Sequence, residues 1–222
     1  MSGKTSLAKK LAEASQKAFF LGEDYSMPNK YFPLFQSRML KNGVKYNDFC
    51  YGTQLIFMQN RVLREQMCKD PSKTYIIDRS IYEDRHIFAH LFYELGVMSQ
   101  SEYNDYRNMF EKIVRNIDPP KCFIYLDSDP ANCFGRMKKR ANPDDSWYTL
   151  DILKKLDYLF KHRLIERIKI INPNINIIEL SVDSYKSIDV AVDEAIDELN
   201  EFLGPTFVKT STTTKKSKEK GA

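Results

Sequence analysis

Thr74-Tyr75-Ile76-Ile77-Asp78-Arg79-Ser80-Ile81-Tyr82-Glu83-Asp84-Arg85 is the stretch that decides the fold. Four apolar or β-branched residues run without polar alternation, which predicts a short strand buried on both faces. A knot of charge follows at once, and then a helical pattern. Strands of this kind belong to parallel sheets covered by helices, and ligands of such sheets sit at the carboxyl ends of the strands. Working outward, similar apolar runs occur at residues 19–22, 121–126 and 176–181. Helical stretches are predicted between them, at 5–18, 49–69, 82–95, 101–117, 130–140, 149–169 and 186–203, punctuated by Gly96 and Pro119-Pro120. The expected class is α/β, a parallel sheet with helices on both faces.

The chain has 222 residues, enough for one domain with a sizeable core. Its formal charge of +4 is unevenly distributed. Residues 209–222 hold five Lys against Glu219 alone, so residues 1–208 are neutral. A neutral body argues against nucleic-acid binding, which needs a concentrated basic face. We expect a folded unit over 1–208 and a disordered basic tail over 209–222, too poor in apolar residues to order itself. No apolar run reaches the roughly 18–20 residues of a membrane helix, so a soluble chain with no membrane partner is expected. Cys50, Cys68, Cys122 and Cys133 lack any CxxC or zinc spacing, which suggests free thiols and a cytoplasmic setting. A mitochondrial one would follow if a transit segment lay upstream.

At the start, Gly3-Lys4-Thr5 leads straight into a helix, the back half of a phosphate-binding P-loop. Amide groups at a helix N-terminus face phosphates, Lys4 can reach their oxygens, and the Thr5 hydroxyl can hold Mg²⁺. The pattern places its first glycine and the strand feeding it ahead of residue 1. We therefore expect a longer natural chain, with about ten further residues sufficing, and a sheet lacking its central strand over residues 1–222.

Taken together, Lys4-Thr5, Glu23, Gln54 and Arg61, the Asp78-Arg79-Ser80-x-x-x-Asp84-Arg85 segment and the Arg136/Arg140 pair resemble the deoxynucleoside kinase family. The resemblance implies a P-loop kinase fold, ATP and Mg²⁺ as cofactors, a deoxynucleoside and a nucleoside triphosphate as ligands, and a homodimer. Within it, Glu23 takes the proton of the sugar 5′-hydroxyl, Arg79 steadies Glu23 and the migrating phosphoryl group, and Asp78 faces the metal. Gln54, Arg61 and Asp84 read the base. Arg136 and Arg140 form a lid over the phosphates, and Asp145 meets the sugar 3′-hydroxyl. Asp78, where deoxycytidine kinases tend to carry Glu, tilts the expected substrate toward deoxyguanosine or deoxyadenosine.

The residues support several of these roles by themselves. Gln54 and Arg61 stand seven apart, hence on one helix face. Gln offers a paired donor and acceptor to a base edge, and Arg61 can pair with Asp84. Arg136 and Arg140, at i and i+4, also share a face. A second contact to the 3′-hydroxyl is left open between Tyr46 and Gln36. His86 and His90 read as packing or surface residues, and Phe88, Phe92 and Tyr93 as core or subunit interface. The Ile87/Phe88/Leu91 face is the expected dimer surface. Two rivals stand beside this reading: a nucleoside monophosphate kinase of the thymidylate type, and a non-catalytic scaffold on a kinase fold.

Overall fold

A computed structural model describes residues 3–23, 27–183 and 187–209. The tail expected over 209–222 lies outside them except for Lys209, whose Nζ pairs with Asp197 at 2.6 Å. Helix α1 (Lys4–Glu13) leads to β1 (Ala18–Leu21), then α2 (Phe32–Asn42), α3 (Cys50–Glu65) and β2 (Thr74–Ile77). A helix α4 over 81–94 has a wide π turn at Asp84–Phe88, and α5 is Gln100–Val114. Strand β3 (Cys122–Asp127) and α6 (Pro130–Arg140) follow. Helix α7 over 150–171 carries a second π turn at Leu159–Leu164, and β4 (Asn176–Ser181) and α8 (Ile188–Leu203) close the chain.

The strands form two parallel pairs, β1 with β2 and β3 with β4. Among the described residues no ladder joins β2 to β3. The two pairs face each other across a cavity of about 1200 Å³, whose walls include Ile76, Phe123, Tyr125 and Leu126. A parallel sheet lacking its central strand was the expectation; two parallel pairs flanking an apolar cleft is the finding.

Two cores hold these halves. Leu7 and Leu11 of α1 meet Leu126, Ile178, Leu180 and the Ala191, Val192, Ala195, Ile196, Leu199 stripe of α8. The larger core gathers α2 through α5 and α7 around Phe35, Met58, Tyr82, Phe92, Tyr106 and Phe110. Each buried Leu, Ile or Phe contributes about 1.5–3 kcal/mol relative to exposure. Ile87 and Leu91 belong to this core at 0% exposure, and Phe88 packs against it. The apolar face expected to meet a second copy therefore covers the chain's own interior, where the π turn at 84–88 packs on α7.

Helix α2 was absent from the sequence reading. Its signals are local: Pro33 in the first turn, Phe35 and Met39 buried at i and i+4, and Gly43 at its end with φ 67°. Glycine is required twice near the ligand end. Gly3 has φ 78°, a left-handed conformation from which α1 starts. A Cβ on Gly52 would lie 2.9 Å from the Tyr31 ring, so only glycine lets α3 approach that side chain.

Candidate active site

Strands β1 and β2 end side by side, with Asp78 N donating to Leu21 O at 3.0 Å. The chain then makes a strained turn. Arg79 has φ 65°, and a non-glycine residue there costs about 1–2 kcal/mol. Ser80 immediately begins α4 through a capping box: Ser80 N donates to Glu83 Oε2 at 2.7 Å, and Glu83 N to Ser80 Oγ at 3.4 Å. Fixed on both sides, the turn directs the Arg79 guanidinium to Glu23, with Nε 3.6 Å from Oε1, and over the Phe88 ring at 5.3 Å.

Glu23 has a second cation. Arg61 Nη2 donates to its Oε1 at 3.0 Å, while Arg61 Nε donates to Asp84 Oδ2 at 3.1 Å. One guanidinium thus bridges the carboxylate assigned to chemistry and the one assigned to base reading. Burial pushes the Glu23 carboxyl up, but Arg79 and Arg61 outweigh it and hold it below the ordinary range. At Asp84 burial wins over Arg61, and the carboxyl is pushed up to about 6. Burial and Arg79 lower the Lys4 ammonium, while Glu83, Asp78 and Glu23 act to raise it. Lys4, Glu23, Asp78, Arg79 and Glu83 therefore share one electrostatic neighbourhood at the C-terminal end of β2.

Thr5 Oγ1 donates directly to Asp78 Oδ2 across this neighbourhood. A hydroxyl and a buried carboxylate, both hard oxygen donors, fit a magnesium ion that keeps waters and phosphate oxygens as its remaining ligands. Gln54 is 3% exposed, and its Oε1 has no partner among the described residues. A buried amide oxygen without a donor carries a desolvation cost that a bound polar group would relieve. Phe57 lies between Gln54 and Arg61 on α3, its ring 5.9 Å from the Arg61 guanidinium.

The lid pair stands differently. Arg136 donates to Asp183 Oδ1 at 2.9 Å and to Ser128 Oγ, and Arg140 donates to Asp145. Asp183 is held down at about 2; burial opposes this, but Arg136, the Asp129 amide, Asn132 and Ser128 together prevail. Asp145 is buried with Arg140 on its carboxylate. Tyr46 is half-exposed and its hydroxyl donates to Glu102 at 3.2 Å, which takes it out of the site. Gln36 lies half-buried on α2.

Three features went unread in the sequence. The Ser80-x-x-Glu83 capping box has a recognisable spacing and could have been found. The Arg61–Glu23 contact spans 38 residues and leaves no local trace. Arg64 stands near the end of α3, where arginines mostly lie in water, yet it is fully buried.

A family profile for deoxynucleoside kinase matches residues 1–204. The chain is 28% identical over 201 residues to deoxyguanosine kinase of Dictyostelium discoideum, covering 86% of this chain and 64% of that protein. To mitochondrial thymidine kinase 2 of Macaca fascicularis it is 28% identical over 127 residues, covering 56% of this chain and 48% of that protein. The match thus spans less than two thirds of either relative's length. In fold it resembles a solved deoxyadenosine kinase from M. mycoides, with TM-score 0.71 and 17% identity over 90% of this chain and 95% of that one. With two parallel strand pairs, of which β1 and β2 end in an Arg–Glu cluster, a Gly-Lys-Thr helix start and a family match over residues 1–204, the chain belongs to the deoxynucleoside kinase family.

Proposed function

We propose that this chain is an ATP-dependent kinase that moves the γ-phosphoryl group of ATP to the 5′-hydroxyl of a deoxynucleoside, purines favoured. The observation that carries the reading is the Glu23 carboxylate held between Arg61 and Arg79 beside Lys4, at the ends of adjacent parallel strands. An ionised carboxylate there can accept the proton of an attacking hydroxyl, because its two guanidinium neighbours keep it deprotonated at neutral pH. Arg79 faces the same space and can take up charge on the migrating group. Gly3 and the first amides of α1 cradle phosphate, with Lys4 reaching its oxygens. Thr5 and Asp78 would hold Mg²⁺, which when bound neutralises phosphate charge.

On the acceptor side, Gln54 presents its unpartnered Oε1 to a base edge, and Arg61 with Asp84 forms the rest of that wall. A purine edge offers the matching donor and acceptor pattern, and the charged Arg–Asp pair favours polar groups over a thymine methyl group. Asp145 would release Arg140 to receive the sugar 3′-hydroxyl while Arg136 and Arg140 turn to the phosphates. The test is a panel of deoxyguanosine, deoxyadenosine, deoxycytidine and thymidine beside their 5′-monophosphates, with ATP and Mg²⁺. Monophosphate formation from the purine deoxynucleosides at the highest kcat/KM is expected. Turnover of the monophosphates alone, or of none, would overturn the reading.

A further inference from the structure

Arg64 lies one turn beyond Arg61 on α3 and is fully buried at 0% exposure. Among the described residues no carboxylate pairs with it. Glu23, Asp84 and Asp78 attract it only from beyond contact, so most of the cost of burying the guanidinium must be offset by hydrogen bonds. Its partners are main-chain carbonyls at two strand ends. Nη1 donates to Asp78 O at 2.8 Å and to Leu21 O at 3.4 Å, and Nη2 donates to Arg79 O at 3.2 Å.

These carbonyls are not scattered. Leu21 ends β1, two residues before Glu23, and Asp78 and Arg79 form the turn in which Arg79 takes its left-handed φ of 65°. A strained backbone conformation persists only where surrounding contacts over-determine it. The planar fork of a guanidinium fixes several acceptors in one geometry, which a lysine ammonium cannot reproduce. The same helix also carries Gln54 and Arg61, so Arg64 ties the base-reading face of α3 to both strand ends.

We propose that Arg64 is a positioning residue: by clamping the carbonyls of Leu21, Asp78 and Arg79 it holds the Asp78–Arg79 turn and brings the Arg79 guanidinium to Glu23. This rests on the kinase reading above for its kinetic consequence, but not for its structural one. A misplacement of about 1 Å at such a centre costs on the order of 100-fold in rate.

The test compares wild type with Arg64→Met and Arg64→Lys by thermal unfolding, by steady-state kinetics, and by amide hydrogen exchange at residues 78–80. In folded Arg64→Met, kcat should fall about 100-fold, with KM for ATP and deoxynucleoside changed less than about threefold. Exchange at 78–80 should rise while that of the α8 core stays unchanged. Arg64→Lys should recover part of kcat, and it decides the question by the same measurements if Arg64→Met does not fold. A kcat within about threefold of wild type, a change in KM alone, or a loss of kcat with exchange at 78–80 unaltered would each overturn the proposal. Should wild type phosphorylate no deoxynucleoside, the kinase reading falls, and the exchange measurement alone upholds or overturns the clamp.

Discussion

The arginines at the ends of β1 and β2 and those on α6 do opposite things with the same side chain. Arg61 and its partner Asp84 are 2% and 3% exposed, and Arg64 is wholly inside, bound to carbonyls. Arg136 and Arg140 are 41% and 47% exposed and rest against Asp183 and Asp145. Removing one partner of a buried pair costs about 3–5 kcal/mol, whereas exposed pairs contribute about 0–1 kcal/mol. The buried set is therefore a fixed scaffold around Glu23. The exposed set is tethered more weakly, and under the proposed kinase reading it would exchange a carboxylate for a phosphate as a closing lid requires.

The largest effect that would break this contrast is at Arg79. Arg79→Ala should lower kcat/KM for the deoxynucleoside by about 1000-fold or more, on the scale of lost transition-state charge stabilisation. Stability should change little, since the side chain is half-exposed. Arg79→Gly should lose as much turnover yet melt at a higher temperature than Arg79→Ala, because glycine relieves the positive φ. Equal melting temperatures would show that the turn is not strained.

Next comes the Arg61–Asp84 pair. Asp84 titrates near 6, raised by burial against the pull of Arg61. Above that pH the carboxylate is charged and orients Arg61; as pH falls through about 6 it takes a proton and the wall loosens. The ratio of kcat/KM between purine and pyrimidine deoxynucleosides should therefore shrink on acidification through that range. In Asp84→Asn the ratio should be reduced roughly 10-fold and be flat with pH, on the scale of one charge-assisted hydrogen bond of about 1.5 kcal/mol. A pH-dependent ratio in that variant would mean another group reads the base.

Smallest are the lid changes. Arg136→Ala should raise KM for ATP and lower kcat by roughly 10-fold, with melting temperature within about 2 °C, as expected for an exposed pair. A strong destabilisation would instead make Arg136, with Ser128 and Asp183, a structural clasp of the β3–β4 half.

Much of this division was legible in the sequence, and the reasons are physical. Apolar strands, the Gly-Lys-Thr start and the strand-end Asp78-Arg79-Ser80 cluster are local patterns, so the fold class and the β2 end of the site could be read directly. What a cation binds is decided by folding, not by spacing. Arg61 reaches Glu23 across 38 residues, and Arg136 meets Asp183 across 47. Arg64 was hidden for the same reason, since an arginine near the end of a helix usually lies in water. Ile87, Phe88 and Leu91 were recognised as apolar, but the direction they face depends on the extra residue in the π turn at Asp84–Phe88. Helix α2 was overlooked although proline, apolar spacing and glycine all marked it.

The cleft between the two strand pairs bears on how this polypeptide behaves in a tube. Along it, among the described residues, β2 and β3 present peptide groups to an apolar gap rather than to a neighbouring strand. Bare margins of this sort recruit extended segments from other molecules, and water is a poor competitor inside greasy walls. Among the described residues that seam, rather than the charged surface, is where a further extended segment would be received.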